Sequence, residues 1–187
     1  MKHDSNVRGD VSVQKAKRLF IAALFGSIIF VMNFFVPPPI SYLLIVVEAV
    51  ILALSTFFVG KLGATYVGIV GGFLSALARP AFGPFTFFFT LLFGVLVDVF
   101  SLAFKVSSTK EGVNRNRVIL AMTFSTAIIG FLSYYITVVY LRLFDVNPIM
   151  LGPMMVGLVI FVATGSGISA GYAAAYLWNK YLKSISV

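Results

Sequence analysis

No cysteine occurs in the chain, and its single histidine, His3, lies among the first polar residues. The first absence excludes a disulfide framework and a thiolate metal site. The second leaves no imidazole for metal binding or for activating a nucleophile, so Ser166 in Gly165-Ser166-Gly167 has no base. Charge is scarce as well, at 11% of residues against roughly 25% in soluble domains. A phosphate-cradling Gly-Lys-Ser/Thr loop, a Gly-x-Ser-x-Gly elbow and a His-Glu-x-x-His pair are all missing. The chain is therefore expected to be no enzyme, to carry no cofactor or metal, and to be unable to spend ATP itself. No inverted half-repeat stands out, so a self-sufficient secondary transporter is not indicated.

What the sequence does have is apolar matter, with 60% hydrophobic residues and a mean hydropathy of +1.03. The 187 residues suffice for one compact unit. The expected fold class is an all-α integral membrane bundle of six transmembrane helices. A polar N-terminal tail, 1–18, turning helical over 11–18, precedes a single transmembrane domain over 19–182, and 183–187 form a C-terminal tail. No cleavable signal peptide is expected, because the first 18 residues lack an apolar core. The spans are read at 19–36, 41–59, 62–78, 83–104, 118–141 and 153–178. Each approaches or exceeds the length that crosses a ~30 Å hydrocarbon layer at ~1.5 Å per residue. Pro37-Pro38-Pro39 stops the first span, Gly60-Lys61 the second and Arg79-Pro80 the third. Asp145-Val146-Asn147-Pro148 reads as a turn before the sixth.

Charge bias orients the bundle. Six spans put both termini on one side, and twelve of the fourteen Lys and Arg fall there, leaving only Arg79 and Arg142 opposite. That asymmetry predicts cytoplasmic termini in a plasma-membrane protein. The net charge of +8 thus points to topology and to the anionic lipid bilayer, not to nucleic acid. Trp178 and Tyr181 suit the interfacial belt, with Lys180 and Lys183 at the headgroups.

Two acids, Glu48 and Asp98, lie inside apolar runs. A carboxylate at bilayer depth costs at least ~2.5–3.5 kcal/mol and usually faces a cavity or a partner. Glu48, seven residues into its span, lies roughly 10 Å below the outer surface and suits a pocket open to that side. For Asp98, deeper toward the inner third, two readings stand: a ligand contact, or a structural acid bonded to a neighbouring helix or near Lys61 and Lys105. Arg79, on the outer side, either snorkels to headgroups or leans over the pocket. Asn33, Thr86, Tyr134, Tyr135, Thr137 and Tyr140 lie in the outer halves of their spans. They offer donors and acceptors to an otherwise apolar small-molecule site. Among Phe85, Phe87, Phe88 and Phe89, one or two could stack on a flat ring, while the rest pack or face lipid.

Small residues four apart occur at Ala22/Gly26, Ala23/Ser27, Gly68/Gly72, Gly167/Gly171 and Ala170/Ala174. Such pairs let helix backbones approach closely. They serve internal packing or, on the first span, docking of another membrane subunit.

Six helices in a short chain, the early small-residue helix, Lys61-Leu62-Gly63-Ala64, Arg79-Pro80-Ala81-Phe82-Gly83-Pro84 and Phe93-Gly94-Val95-Leu96-Val97-Asp98 carry a family likeness. The sequence resembles the substrate-capture (S) components of energy-coupling factor (ECF) transporters, nearest to the thiamin-precursor, hydroxymethylpyrimidine-type members. The resemblance implies a water-soluble, vitamin-like ligand bound near the outer face and capped by a lid around Pro37, Pro38 and Pro39. It also implies partners, namely a membrane coupling subunit docking on Ala22, Ala23, Gly26 and Ser27, and two cytosolic ATPases. Gly26 and Ser27 stand where alanine is usual in that family. Two rival classes remain. One is a self-contained permease or channel, homo-oligomeric through Gly68/Gly72 or Gly167/Gly171. The other is a structural membrane protein whose acids bind helix to helix.

Overall fold

The apolar runs become six helices. The structure, a computed structural model, describes residues 3–35, 44–79, 83–109, 111–140 and 152–184. The helices are α1 (His3–Phe35), α2 (Leu44–Val59), α3 (Gly63–Ala78), α4 (Gly83–Ala103), α5 (Arg115–Tyr134) and α6 (Pro153–Leu177). π-Helical turns prolong α5 over Tyr135–Tyr140 and α6 over Trp178–Leu182. Gly60, at φ +100°, takes the left-handed conformation that closes α2. The Asn114 side chain accepts from the Asn116 and Arg117 amides at 3.2 and 3.4 Å, capping the start of α5. Pro153 opens α6 in the first turn, where its missing N–H costs nothing.

Four stretches are long and apolar enough to cross a bilayer: Gln14–Phe35, Gly83–Ala103, Arg115–Val138 and Pro153–Leu182. The chain is a multi-pass, all-helical membrane protein. α2 and α3 have 16 residues each, about 24 Å at the helical rise. The polar N-terminal stretch departs from expectation. From His3 it is not a separate tail but the start of a 33-residue helix, about 50 Å long and therefore longer than a ~30 Å hydrocarbon layer. The lid residues Pro37, Pro38 and Pro39 lie outside the described residues, as do Arg142 and the expected turn before α6.

Neighbours in the bundle run α1, α3, α4, α5, α6, α2 and back to α1, and α2 touches every other helix. Two ends result. At the basic end lie the start of α1, the α2–α3 turn, the α4–α5 connection and the close of α6. At the opposite end lie the close of α1, α3 and α5, and the starts of α2, α4 and α6.

Glycine decides how closely the helices meet. A Cβ on Gly68 would stand 2.8 Å from the Thr90 carbonyl oxygen, and one on Gly72 would stand 3.2 Å from that of Phe87. On α6, a Cβ at Gly167 or Gly171 would come within 2.6 Å of the Thr123 or Ile119 Cα. These seams join α3 to α4 and α5 to α6, so they are spent inside the chain and offer no surface to a second copy. Ala170 and Ala174 are fully buried in the same way. The first-helix motif divides. Ala22 and Gly26 are buried, and a Cβ on Gly26 would meet Val70 at 2.7 Å, whereas Ala23 and Ser27 face outward.

Polar clamps fasten the basic end. Asn179 accepts from the Val113 amide at 2.7 Å and donates to its carbonyl at 3.0 Å, pinning the α4–α5 connection to α6. The Ser108 hydroxyl donates to the Phe57 carbonyl at 3.2 Å. Trp178, expected in the interfacial belt, is instead 1% exposed and wedged edge-on against Phe57 and Phe58. Tyr181 does lie exposed.

Candidate functional site

At the end opposite the basic one, five helices leave a cavity of about 300 Å³. α1 contributes Asn33 and Phe34, α2 Ile45 and Glu48, and α3 Ser75 and Arg79. α4 contributes Thr86, Phe89, Thr90 and Phe93, which recur at the i, i+3, i+4, i+7 spacing of one helix face. α5 adds Ile129, Gly130 and Ser133. The volume sits at the small end of ligand pockets, whose range begins at ~300 Å³.

Glu48 is half-buried in the second turn of α2, the helix with neighbours on every side. Among the described residues it makes no hydrogen bond and no ion pair. A carboxylate offers about four acceptor sites, so this wall presents unmet acceptor capacity to whatever enters. Arg79 faces the same space but does not neutralise Glu48. Its Nη2 donates to the Phe34 carbonyl at 2.7 Å, and its guanidinium lies 5.8 Å from the Phe34 ring centroid. A cation placed at the last carbonyls of α1 satisfies an orphan acceptor and complements the helix dipole. The arginine therefore ties the close of α3 to the close of α1 and still has donors to spare, having five N–H groups in all.

Ser75 supplies the most informative detail. Serine and threonine within membrane helices commonly donate back to a carbonyl one turn earlier. Ser125 and Thr123 do so here, each at 2.7 Å. Ser75 lines the cavity and is 6% exposed, and its hydroxyl oxygen is buried with no hydrogen-bond partner. A buried polar group left unpaired costs ~1–3 kcal/mol and calls for an explanation, of which an unseen ligand is one.

Of the residues expected to bind substrate, the structure brings together Asn33, Glu48, Arg79 and Thr86. Tyr134 and Thr137 do not line the cavity, and the Thr137 hydroxyl is spent on the Ser133 carbonyl. Asp98 is not there either. It is buried at the basic end, where its carboxylate accepts from the Ala64 amide at 3.3 Å and from the Thr65 amide and hydroxyl at 2.7 and 2.6 Å. It caps α3 from a neighbouring helix, which is the structural alternative, and it reaches neither Lys61 nor Lys105. Of Phe85, Phe87, Phe88 and Phe89 only Phe89 lines the space, joined by Phe93 further along α4. Ser75, Thr90 and Ser133 escaped the sequence reading. The four-residue steps Ser75/Arg79 and Thr86/Thr90, which put each pair on one helix face, are the signal that could have marked two of them.

The arrangement can do recognition chemistry. One acid, one guanidinium, an amide and several hydroxyls surround a small space walled by Phe89, Phe93 and Ile129. Among the described residues no group of three metal-ligating side chains occurs. Compared with known proteins, the chain matches no family model, no curated relative and no solved structure.

Proposed function

We propose that this protein is a membrane-embedded capture subunit that binds a small water-soluble solute in the cavity around Glu48. The observation that carries the reading is that one cavity is lined by two residues whose polar groups are unmet among the described residues, Glu48 and Ser75. A solute that donates to both would remove two costs at once. An amino- or amidine-bearing ring fits, with the ring faces against Phe89 and Phe93.

The wider proposal is an S component of an ECF-type vitamin uptake transporter in the plasma membrane, with six spans and cytoplasmic termini. The basic end would then face the cytosol and the cavity would face outward. A membrane coupling subunit would seat on the outward-turned Ala23/Ser27 face of α1, and cytosolic ATPases would drive release. The twelve-to-two division of Lys and Arg supports this orientation. The buried glycine seams weigh against a self-contained homo-oligomeric permease.

Mass spectrometry of the chain purified in mild detergent tests the reading. A co-purifying solute of vitamin size is expected, held at least tenfold more weakly by Glu48→Gln, since a hydrogen bond to a charged group contributes ~1.5–3 kcal/mol. Unchanged retention by Glu48→Gln would overturn the assignment.

A further inference from the structure

A second hollow, of about 640 Å³, lies at the basic end, far from Glu48 along the bundle. Lys15, Arg18 and Leu19 of α1 form one wall. Val59, Gly60, Lys61, Leu62 and Tyr66 of the α2–α3 turn form the other. Three cations converge here and no acid lines the space. Among the described residues, Lys15, Arg18 and Lys61 make no ion pair, no hydrogen bond and no ring contact. Like charges gathered without a counter-ion repel, so the fold holds together a cluster that an anion would relieve.

Position and wall chemistry narrow the anion. α1 changes from polar to apolar sequence at Arg18-Leu19, so its cations stand where the helix leaves hydrocarbon for headgroups. Below them, Leu19 and Leu62 are 63% and 51% exposed and Tyr66 is 43% exposed, giving an apolar continuation suited to acyl chain. We propose that this cavity binds the phosphate of an anionic phospholipid headgroup, with the three cations around the phosphate and Leu19, Leu62 and Tyr66 along the chains. The inference needs only the membrane fold and is independent of the capture reading. Phosphate on a soluble ester has the same charge chemistry, and the apolar walls separate the two sources.

Native mass spectrometry of the full chain in non-ionic detergent provides the test, titrating dioleoylphosphatidylglycerol, dioleoylphosphatidylcholine and glycerol phosphate. The phosphatidylglycerol is expected to bind as one discrete adduct, tighter than the phosphatidylcholine. Replacing all three cations (Lys15→Gln, Arg18→Gln, Lys61→Gln) should weaken it on the order of 100-fold, at about fivefold per cation. The control Lys105→Gln, Arg115→Gln, Arg117→Gln on the same end should leave it within about threefold, since distant screened cations contribute little. Lys61→Gln alone should cost about fivefold and keeps the test open if the triple variant misfolds. Equal binding of both lipids, or equal loss in the control, would overturn the proposal. Displacement by glycerol phosphate at matching affinity would overturn the lipid assignment in favour of a soluble ester.

Discussion

Asp98 on α4 holds the first turn of α3 through Thr65, accepting its backbone N–H at 2.7 Å and its hydroxyl at 2.6 Å. No side chain of α3's own sequence caps that start, where Leu62 stands at the cap position. An acid borrowed from the next helix does the work of an N-cap, and it places a negative charge where the helix dipole is positive.

Asp98→Ala should therefore destabilise the protein by about 3 kcal/mol, because it strips a charged acceptor from buried donors. Thr65→Val should cost about 1–2 kcal/mol, and the two together less than their sum, since they share a bond. Thermal unfolding in detergent reads both. Solute affinity in the Asp98 variant should be unchanged. A loss of binding in a variant that still folds would return Asp98 to the site.

Close helix approach makes a second contrast. A Cβ on Gly94 would run into the Ala64 carbonyl, whereas one on Gly165 meets nothing within 4 Å. Gly94→Ala should cost about 1–3 kcal/mol through overpacking. Gly165→Ala should be neutral or stabilise by up to about 1 kcal/mol through helix propensity alone. Melting temperatures moving in the same direction would contradict the α3–α4 packing described here.

The sequence carried the helices well and the partners of their polar groups poorly. Apolar runs closed by Gly60, Arg79-Pro80 and the polar stretch after Phe104 mark helix limits because each breaker acts locally. Glu48 was legible for a related reason: an acid within apolar sequence is costly wherever it points. The same signal left Asp98 open between two readings, since whether an acid meets a cavity or a backbone depends on which helix lies beside it. Trp178 shows the same limit. Its position near a helix end suggested the interface, and only the packing of α6 on α2 buries it between Phe57 and Phe58. Hydroxyls were the least legible, because most of them bond their own helix and only geometry exposes the exception.

The divided face of α1 gives a third prediction. Ala22→Leu should cost about 1–3 kcal/mol by forcing α1 from α3, while Ala23→Leu, pointing outward, should stay within about 0.5 kcal/mol of the parent. If a coupling subunit seats on the outward face, Ala23→Leu and Ser27→Leu should lower cellular uptake of the identified solute at least tenfold. Solute binding by the purified chain should hold. Full uptake by both variants would remove the docking assignment and leave the cavity untouched.

Ser75 permits a test in which two measurements must move in opposite directions. Its hydroxyl is buried and unpaired, so in the empty protein it contributes only a desolvation cost. Ser75→Ala removes that cost with little change of volume and should leave the solute-free protein as stable as the parent, or more so by about 1 kcal/mol. In the bound protein the hydroxyl is expected to have a partner, and its loss should weaken the solute about fivefold, a neutral hydrogen bond contributing ~1 kcal/mol. Thermal unfolding without solute and binding of the identified solute read the two halves. A purely structural serine would lower stability and spare affinity, the reverse pattern. Ser75→Thr keeps the hydroxyl and should preserve most of the binding, which separates a lost bond from an altered cavity shape.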